Sequence, residues 1–254
     1  MRRLLTALIL IPIVLYAVLW GPGWFFLAVV AAVSLLCFHE YCGLVAAHGF
    51  SRPGPAAYAM GLLVLVVQKQ ELLVVTLLAL LALTLALRAD PLSRGLPQAA
   101  AVLLGLVYIF GAMRSTIALR AFSPSWLFFA LGLNCVGDTA AYYIGKAAGR
   151  HKLAPRLSPA KSWEGAAASL AAALVFGAVF TRFVPDIPMY QGLLLAAAGN
   201  LAGQLGDLSE SALKRGAGVK DSGNLLPGHG GWLDRVDSML FAAPVVWAWF
   251  AFLR

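Results

Sequence analysis

Charge is scarce in this chain. Only 12% of its 254 residues are charged, whereas 61% are hydrophobic. Soluble domains carry roughly a quarter charged residues and are about half apolar. The apolar runs lack the polar face of an ordinary amphipathic helix, which excludes a soluble helical bundle. They also lack the short alternating segments of a transmembrane barrel. Cysteine is nearly missing. Cys37, Cys42 and Cys135 lie in apolar runs and form no CxxC pair. That excludes a zinc site or disulfide framework and leaves three small buried hydrophobes. Acids are outnumbered, 11 against 19 Lys and Arg, for a net charge of +8. No nucleic-acid module accompanies that charge, so no nucleic-acid partner is expected. The excess is read instead as basic loops against an anionic leaflet. There is no repeat of fixed period. No GxSxG elbow or HExxH pair appears, and "GDTAAYYIGK" has seven residues between its glycines, too many for a P-loop.

What remains is hydrophobic length. A spanning helix needs roughly 20 mostly apolar residues, and about nine stretches qualify, near 4–20, 23–46, 56–67, 71–87, 98–113, 125–145, 165–182, 190–208 and 238–253. The fold class expected is all-α, a polytopic transmembrane helical protein. The third stretch is short. "MRRLLTALILIPIVLYAVLW" resembles a signal peptide, but no small-x-small cleavage site follows, so it is read as an uncleaved first span. With the N-terminus inside, the inside segments hold 14 of the 19 basic residues. The positive-inside rule then sets N-inside and C-outside, with the rich loops 146–164 and 209–237 cytoplasmic. The expected organisation is a set of N-terminal membrane helices over 1–120 and a C-terminal membrane region carrying the chemistry over 121–254. Gly165, Ser169, Ala173 and Gly177 share one face, and Gly199 and Gly203 form a GxxxG pair. Small faces of this kind pack helices closely.

Polar residues inside such a chain are costly, about 2.5–3.5 kcal/mol each near a span centre, so their spacing is informative. Asn200, Gln204, Asp207, Ser211 and Lys214 follow steps of 4, 3, 4 and 3, one helical face. The face lines a wet, protein-walled cavity or forms a hydrogen-bond network between helices. The Lys214-Arg215 end argues for an anionic occupant. Asn134, Asp138 and Tyr142 make a second stripe. Asp138 is a pathway or metal carboxylate, or the partner of a basic residue elsewhere. The loop "GKAAGRHKLAPRLSPAKSWEG" sets Lys146, Arg150, His151, Lys152, Arg156 and Lys161 against one acid, Glu164. It is either a lipid-headgroup anchor or a phosphate-binding cover, with Lys161 and Glu164 at the helix entry and Ser162 as its cap.

The densest polarity is "KDSGNLLPGHGGWLDRVD", Lys220 to Asp237. Carboxylates Asp221, Asp234 and Asp237 beside Lys and Arg are the usual kit for Mg2+-assisted phosphoryl or nucleotidyl transfer. Magnesium is held by one or two carboxylates plus substrate phosphates. Two metals, where present, clamp the attacking and leaving oxygens. Gly228, Gly230 and Gly231 let backbone N–H groups approach phosphate. Asp234 and Asp237, three apart, suit the start of the last helix. His229 is a lone histidine in a glycine turn, for acid–base work or for phosphate or backbone contact.

These residues also carry a resemblance. "SALKRGAGVKDSGNLLPGHGGWLDRVD", Ser211 to Asp237, resembles the signature of the phosphatidate cytidylyltransferase (CDP-diacylglycerol synthase) family: S-x-apolar-K-R, K-D, P-x-H-G-G, then D-R-apolar-D. Every fixed position is matched. Trp232 stands where a smaller aliphatic residue is usual. "SPAKSWEG" and "GDTAAYYIGK" resemble upstream blocks, so the likeness covers roughly 134–237. It implies that CTP and phosphatidic acid give CDP-diacylglycerol and pyrophosphate in phospholipid biosynthesis. It further implies Mg2+, with a second cation compatible, and a site open to the cytoplasm. It also implies a bacterial inner membrane for a bacterial source, contact with membrane lipids, and often a homodimer. On that footing Asp207 and Asp234 are first choices for the metal, and Asp221 and Asp237 second. Lys214, Arg215, Lys220 and Arg235 hold triphosphate and lipid phosphate, and His229 stands among the catalytic candidates. Lys161 and Glu164 border the site. Asn200, Gln204, Ser211, Gly230, Gly231 and Asp138 complete the substrate-binding candidates. The alternatives are another membrane transferase joining a nucleotide to a lipid phosphate or lipid alcohol, or a transporter of an anion.

Overall fold

The structure is a computed structural model and describes residues 2–67, 71–226, 228 and 230–252. Helices occupy each apolar stretch. They are α1 (Arg2–Leu19), α2 (Gly23–Ala47), α3 (Pro55–Val66), α4 (Glu71–Ala86), α5 (Gly95–Gly105), α6 (Ala112–Phe122), α7 (Pro124–Ala148), α8 (Trp163–Phe183), α9 (Met189–Gly216) and α10 (Leu233–Phe252). Five helical stretches among the described residues are long and apolar enough to cross a membrane: 23–47, 92–122, 124–148, 163–183 and 233–252. Three more are apolar but shorter, at 8–19, 55–66 and 72–86. The 28-residue α9 is long enough, but Asn200, Gln204, Asp207 and Glu210 keep it out of the apolar class.

Two differences from the expected helices have local causes. Hydropathy places one span near 98–113, but the helix runs from 92 to 122. Its ends carry Arg94, Arg114 and Arg120, which hydropathy discounts and helical propensity tolerates. Between α5 and α6 the chain makes a π-turn at Leu106–Gly111. The second difference is a small sheet in an otherwise all-helical chain. Lys152–Ala154 (β1) and Ser158–Ser162 (β2) pair antiparallel within the basic loop. No apolar alternation marks these strands, because the hairpin is built from charged and small residues. Ser162 closes β2 and caps α8, its Oγ accepting the Gly165 N–H at 3.1 Å.

The chain forms two compact units. The first contains residues 1–17, 21–117 and 216–235. Its core is aromatic: Phe38 lies 5.0 Å from Tyr58 and 5.3 Å from Phe110 between ring centroids, and Tyr41 donates its hydroxyl to the Ala101 carbonyl at 2.8 Å. The second contains residues 18–20, 118–215 and 236–254. There, fully buried Trp126 meets Phe250 at 4.7 Å and Phe180 at 5.3 Å, and its indole N–H donates to Asp186. The small face of α8 is buried throughout. A Cβ at Gly177 would come within 2.6 Å of that of Ala196 on α9, the close approach that small residues permit.

Sequence order would group 209–237 with the C-terminal half. Instead, residues 216–235 pack inside the first unit, drawn there by a buried carboxylate of α2 described below. Elsewhere the outer surfaces are oily, with Leu72 82%, Val175 65% and Val66 62% exposed. Side chains like these in water would be an association hazard. In lipid they are solvated, and the chain is an integral membrane protein.

Candidate functional site

In the second unit, α7, α8, the hairpin and α9 enclose a cavity of about 690 Å³. Asp138, Lys146, Lys152, Lys161, Gln204 and Asp207 contribute its polar lining. Lys161 reaches Asp207 at 2.5 Å, and Ser211 Oγ lies 3.5 Å from the same carboxylate. Asp138, Asp207 and Asp237 are close enough to repel one another electrostatically, and Lys161 and Lys214 partly offset them. The cavity therefore combines two carboxylates, Asp138 and Asp207, with lysines able to meet phosphate, and Asp237 adds its repulsion from nearby on α10.

The polar stripe of α9 splits between two duties. Its first residues form the network between helices: Asn200, 3% exposed, donates to Ser169 Oγ at 3.0 Å. Gln204 donates to Asn200 Oδ1 at 2.7 Å and also borders the cavity. Gly137 leaves the room, because a Cβ there would lie 2.5 Å from the Asn200 amide. Gln204 and Asp207 face the cavity, and Ser211 follows one turn on beside Asp207. At its end the two basic residues part. Lys214 is buried and ion-paired with the fully buried Glu210 one turn back. Arg215 is exposed and donates from Nε to the Leu157 carbonyl at 3.1 Å, tying the hairpin turn to α9.

Sequence spacing did not single out Glu210, although an acid four residues before a lysine is a recognisable pairing signal. Glu164 does not line the cavity. It accepts the His151 backbone N–H at 3.2 Å, and His151 Nδ1 lies 2.6 Å from it, so it fastens the hairpin to the start of α8.

The stretch before α10, in the first unit, is built differently. Asp234 accepts backbone N–H bonds from Gly231 at 2.8 Å and Ser222 at 3.1 Å. Leu226 N–H donates to the Gly230 carbonyl at 3.0 Å, closing a tight turn. Gly228 and Gly230 have φ of 79° and 81°, the left-handed region that favours glycine. Lys220, Asp221 and Arg235 are exposed. His229 lies outside the described residues.

The anchor of this stretch is Glu40, buried at 3% exposure on α2. It accepts from Leu233 N–H at 2.8 Å, Trp232 N–H at 3.0 Å and Ser222 Oγ at 3.1 Å. As one acid in an apolar run, its cost inside a span was the only warning.

Among the described residues no three His, Cys, Asp or Glu side chains form a preformed metal cage. Mg2+ does not require one, since one or two carboxylates suffice when substrate phosphates complete the shell. Asp207 and Asp138 in one cavity fit that requirement.

The sequence profile of the cytidylyltransferase family matches residues 1–253. A phosphatidate cytidylyltransferase of Pseudomonas aeruginosa is 38% identical over 263 residues, covering 96% of this chain and 94% of its own. The phosphatidate cytidylyltransferase of Brucella suis is 36% identical over 251 residues, covering 96% and 91%. That of Bacillus subtilis is 41% identical over 150 residues, and the match spans 58% of this chain and 56% of the relative. With its profile matched from end to end and two such relatives aligned over nearly their whole lengths, the chain belongs to the cytidylyltransferase family.

Proposed function

We propose that this protein transfers the cytidylyl group of CTP to phosphatidate, releasing pyrophosphate and forming CDP-diacylglycerol. The observation that carries this reading is the alignment over 96% of the chain with relatives named for that reaction. The cavity chemistry supports it. A phosphate oxygen of the lipid attacks the α-phosphorus of CTP. A new P–O–P linkage forms, the α–β bond breaks, and pyrophosphate leaves with the electron pair. The nucleophile is already anionic at neutral pH, so the protein's work is charge neutralisation and in-line placement.

Lys161, Lys146 and Lys152 line the cavity, which supports assigning them to phosphate oxygens. Lys161 also holds Asp207 in position. Asp207 is the first choice to hold Mg2+, with Asp138 beside it and Asp237 as a further carboxylate. When bound, the metal would neutralise charge on the transferring and leaving phosphates. In the loop before α10 Asp234 is the first choice, with Asp221 as its second. Arg215, Lys220 and Arg235 are assigned to phosphate as exposed cations. Lys214 sits with Glu210 and supplies field rather than contact.

The same reading places nine crossings in a bacterial inner membrane, with the N-terminus and both basic loops cytoplasmic. The charge bias of the loops supports that orientation. The resemblance also implies a homodimer, which cross-linking in native membranes tests. The decisive assay is CTP consumption by the purified protein with Mg2+, with and without phosphatidate. Lipid-dependent release of pyrophosphate with CDP-diacylglycerol as product is expected. Equal turnover without the lipid would overturn the reading.

A further inference from the structure

Helix α10 begins without a cap of its own. Its N-cap position is Trp232, whose side chain offers no acceptor, while the first turn of any helix presents N–H groups needing partners. The acceptor comes from 193 positions away in sequence: Glu40 Oε2 takes the Leu233 N–H at 2.8 Å, and Oε1 takes the Trp232 N–H at 3.0 Å. The Ser222 hydroxyl donates to the same Oε2 at 3.1 Å. Three donors converge on the carboxylate, one on Oε1 and two on Oε2. Ser222 and residues 231–233 are the two sides of the neck of the 222–233 loop. Asp234 ties the same neck through the N–H groups of Ser222 and Gly231. The neck admits nothing larger than glycine at two points. A Cβ at Gly231 would lie 2.6 Å from Glu40 Oε2, and one at Gly223 would lie 2.5 Å from Oε1.

We propose that Glu40 is a positioning residue for the cytidylyl transfer: a carboxylate of α2 that caps α10 in trans and fixes the orientation in which Asp234 is presented. The inference rests on the function proposed above. Glu40 touches no substrate. It acts through the backbone of 231–233 and through Ser222, and so governs the rate of the chemical step rather than the affinity for either substrate. It also gives the N-terminal helices a part in the chemistry beyond crossing the membrane.

Glu40→Gln tests this in the purified full-length protein. Gln keeps one acceptor oxygen but sets an NH2 group against either the Trp232 or the Leu233 N–H, so one helix N–H is orphaned in either orientation. The expected result is a kcat lower by about tenfold to a hundredfold, the effect of a roughly 1 Å misplacement, with KM for CTP and phosphatidate little changed. Amide exchange at 231–233 should accelerate while exchange in α7 and α8 stays as in the wild type. Wild-type kcat, or a fall in kcat/KM carried by KM alone, overturns the proposal, as does unchanged exchange at the neck. If Glu40→Gln fails to fold, Ser222→Ala removes a single bond to Glu40 and leaves the charge in place. It should lower kcat several-fold and loosen the same amides, and no change in either measurement is equally fatal. Should the wild type form no CDP-diacylglycerol, the functional reading fails on its own. Exchange at the neck in the variants then still decides whether Glu40 holds the loop.

Discussion

The cavity of the second unit and the loop before α10 are both polar intrusions into an oily chain, yet they are held by opposite means. The cavity is made of side chains on regular elements. Asp138 stands on α7, Lys161 on β2 and Asp207 on α9, and its fixing contacts run from side chain to side chain. The loop is made of backbone. Its carboxylates, Glu40 and Asp234, bind mainly backbone N–H groups, joined by the Ser222 hydroxyl on Glu40. A side-chain site tolerates substitution as long as charge and reach survive. A backbone site is sensitive to any change that moves the chain, even where no charge is altered.

The largest expected effects come from the aspartates, and they separate the two kinds of site. Asp207→Asn and Asp234→Asn should each lower kcat by about a thousandfold, the upper end for loss of one preorganised electrostatic element. The difference lies in exchange. Asp207→Asn should leave the amides of 222–233 as protected as in the wild type, because its contacts are side-chain contacts. Asp234→Asn should loosen Ser222 and Gly231, because an amide group replaces one of the accepting oxygens. Near-normal synthesis by either variant removes that residue from the metal role. Equal protection in both would show that the loop does not depend on Asp234.

Next in size is Lys161. Without it Asp207 faces Asp138 and Asp237 with less offsetting charge. Lys161→Ala should lower kcat/KM for CTP by about a hundredfold, and Lys161→Arg should recover most of the loss, because the cavity asks for a cation within reach. The matching test in the loop changes no charge. Gly231→Ala drives a methyl group onto Ser222 Oγ and Glu40. It should destabilise the neck by about 1–3 kcal/mol and reduce kcat with no recovery from other small residues. A Gly231→Ser protein with wild-type kinetics would contradict the backbone account.

The contrast also explains which features could be read in advance. The α9 stripe was legible because helical spacing is local: five polar residues at steps of 3 and 4 share a face whatever surrounds them. The cap at Ser162 was legible for the same reason. Spacing did not reveal that Asn200 would turn to Ser169 while Asp207 turned to Lys161, because that depends on α8 and the hairpin. The hairpin at 152–162 was not legible, since its strands carry no period-2 signal. Glu40 was the least accessible. One acid in an apolar run announces a cost, but its donors lie at 222, 232 and 233, and nothing in local pattern joins positions so far apart. The all-helical class was clear from apolar runs, whereas crossings are a matter of length and polarity: five stretches among the described residues qualify, and α9 has length without apolarity.

The smallest expected effect falls on Glu164, a residue that the motif places at the border of the site and the structure places in the first turn of α8, fastened to His151. Its carboxylate binds His151 through both the backbone N–H and the ring. The His151 side chain is 79% exposed, so water and salt screen that contact. The hairpin keeps other ties when it is lost, including the Trp163 N–H to the His151 carbonyl at 2.9 Å and the Arg215 bond to Leu157. Glu164→Gln should therefore change kcat/KM by less than about fivefold, the range of exposed ion pairs. The residual effect should shrink as salt is raised in the wild type and variant alike. A rise in KM for CTP well beyond that range, insensitive to salt, would mean that Glu164 meets the nucleotide directly. The hairpin would then belong to the substrate-binding surface through side chains, as the cavity does, and its role would no longer be confined to holding β1 and β2 against α8.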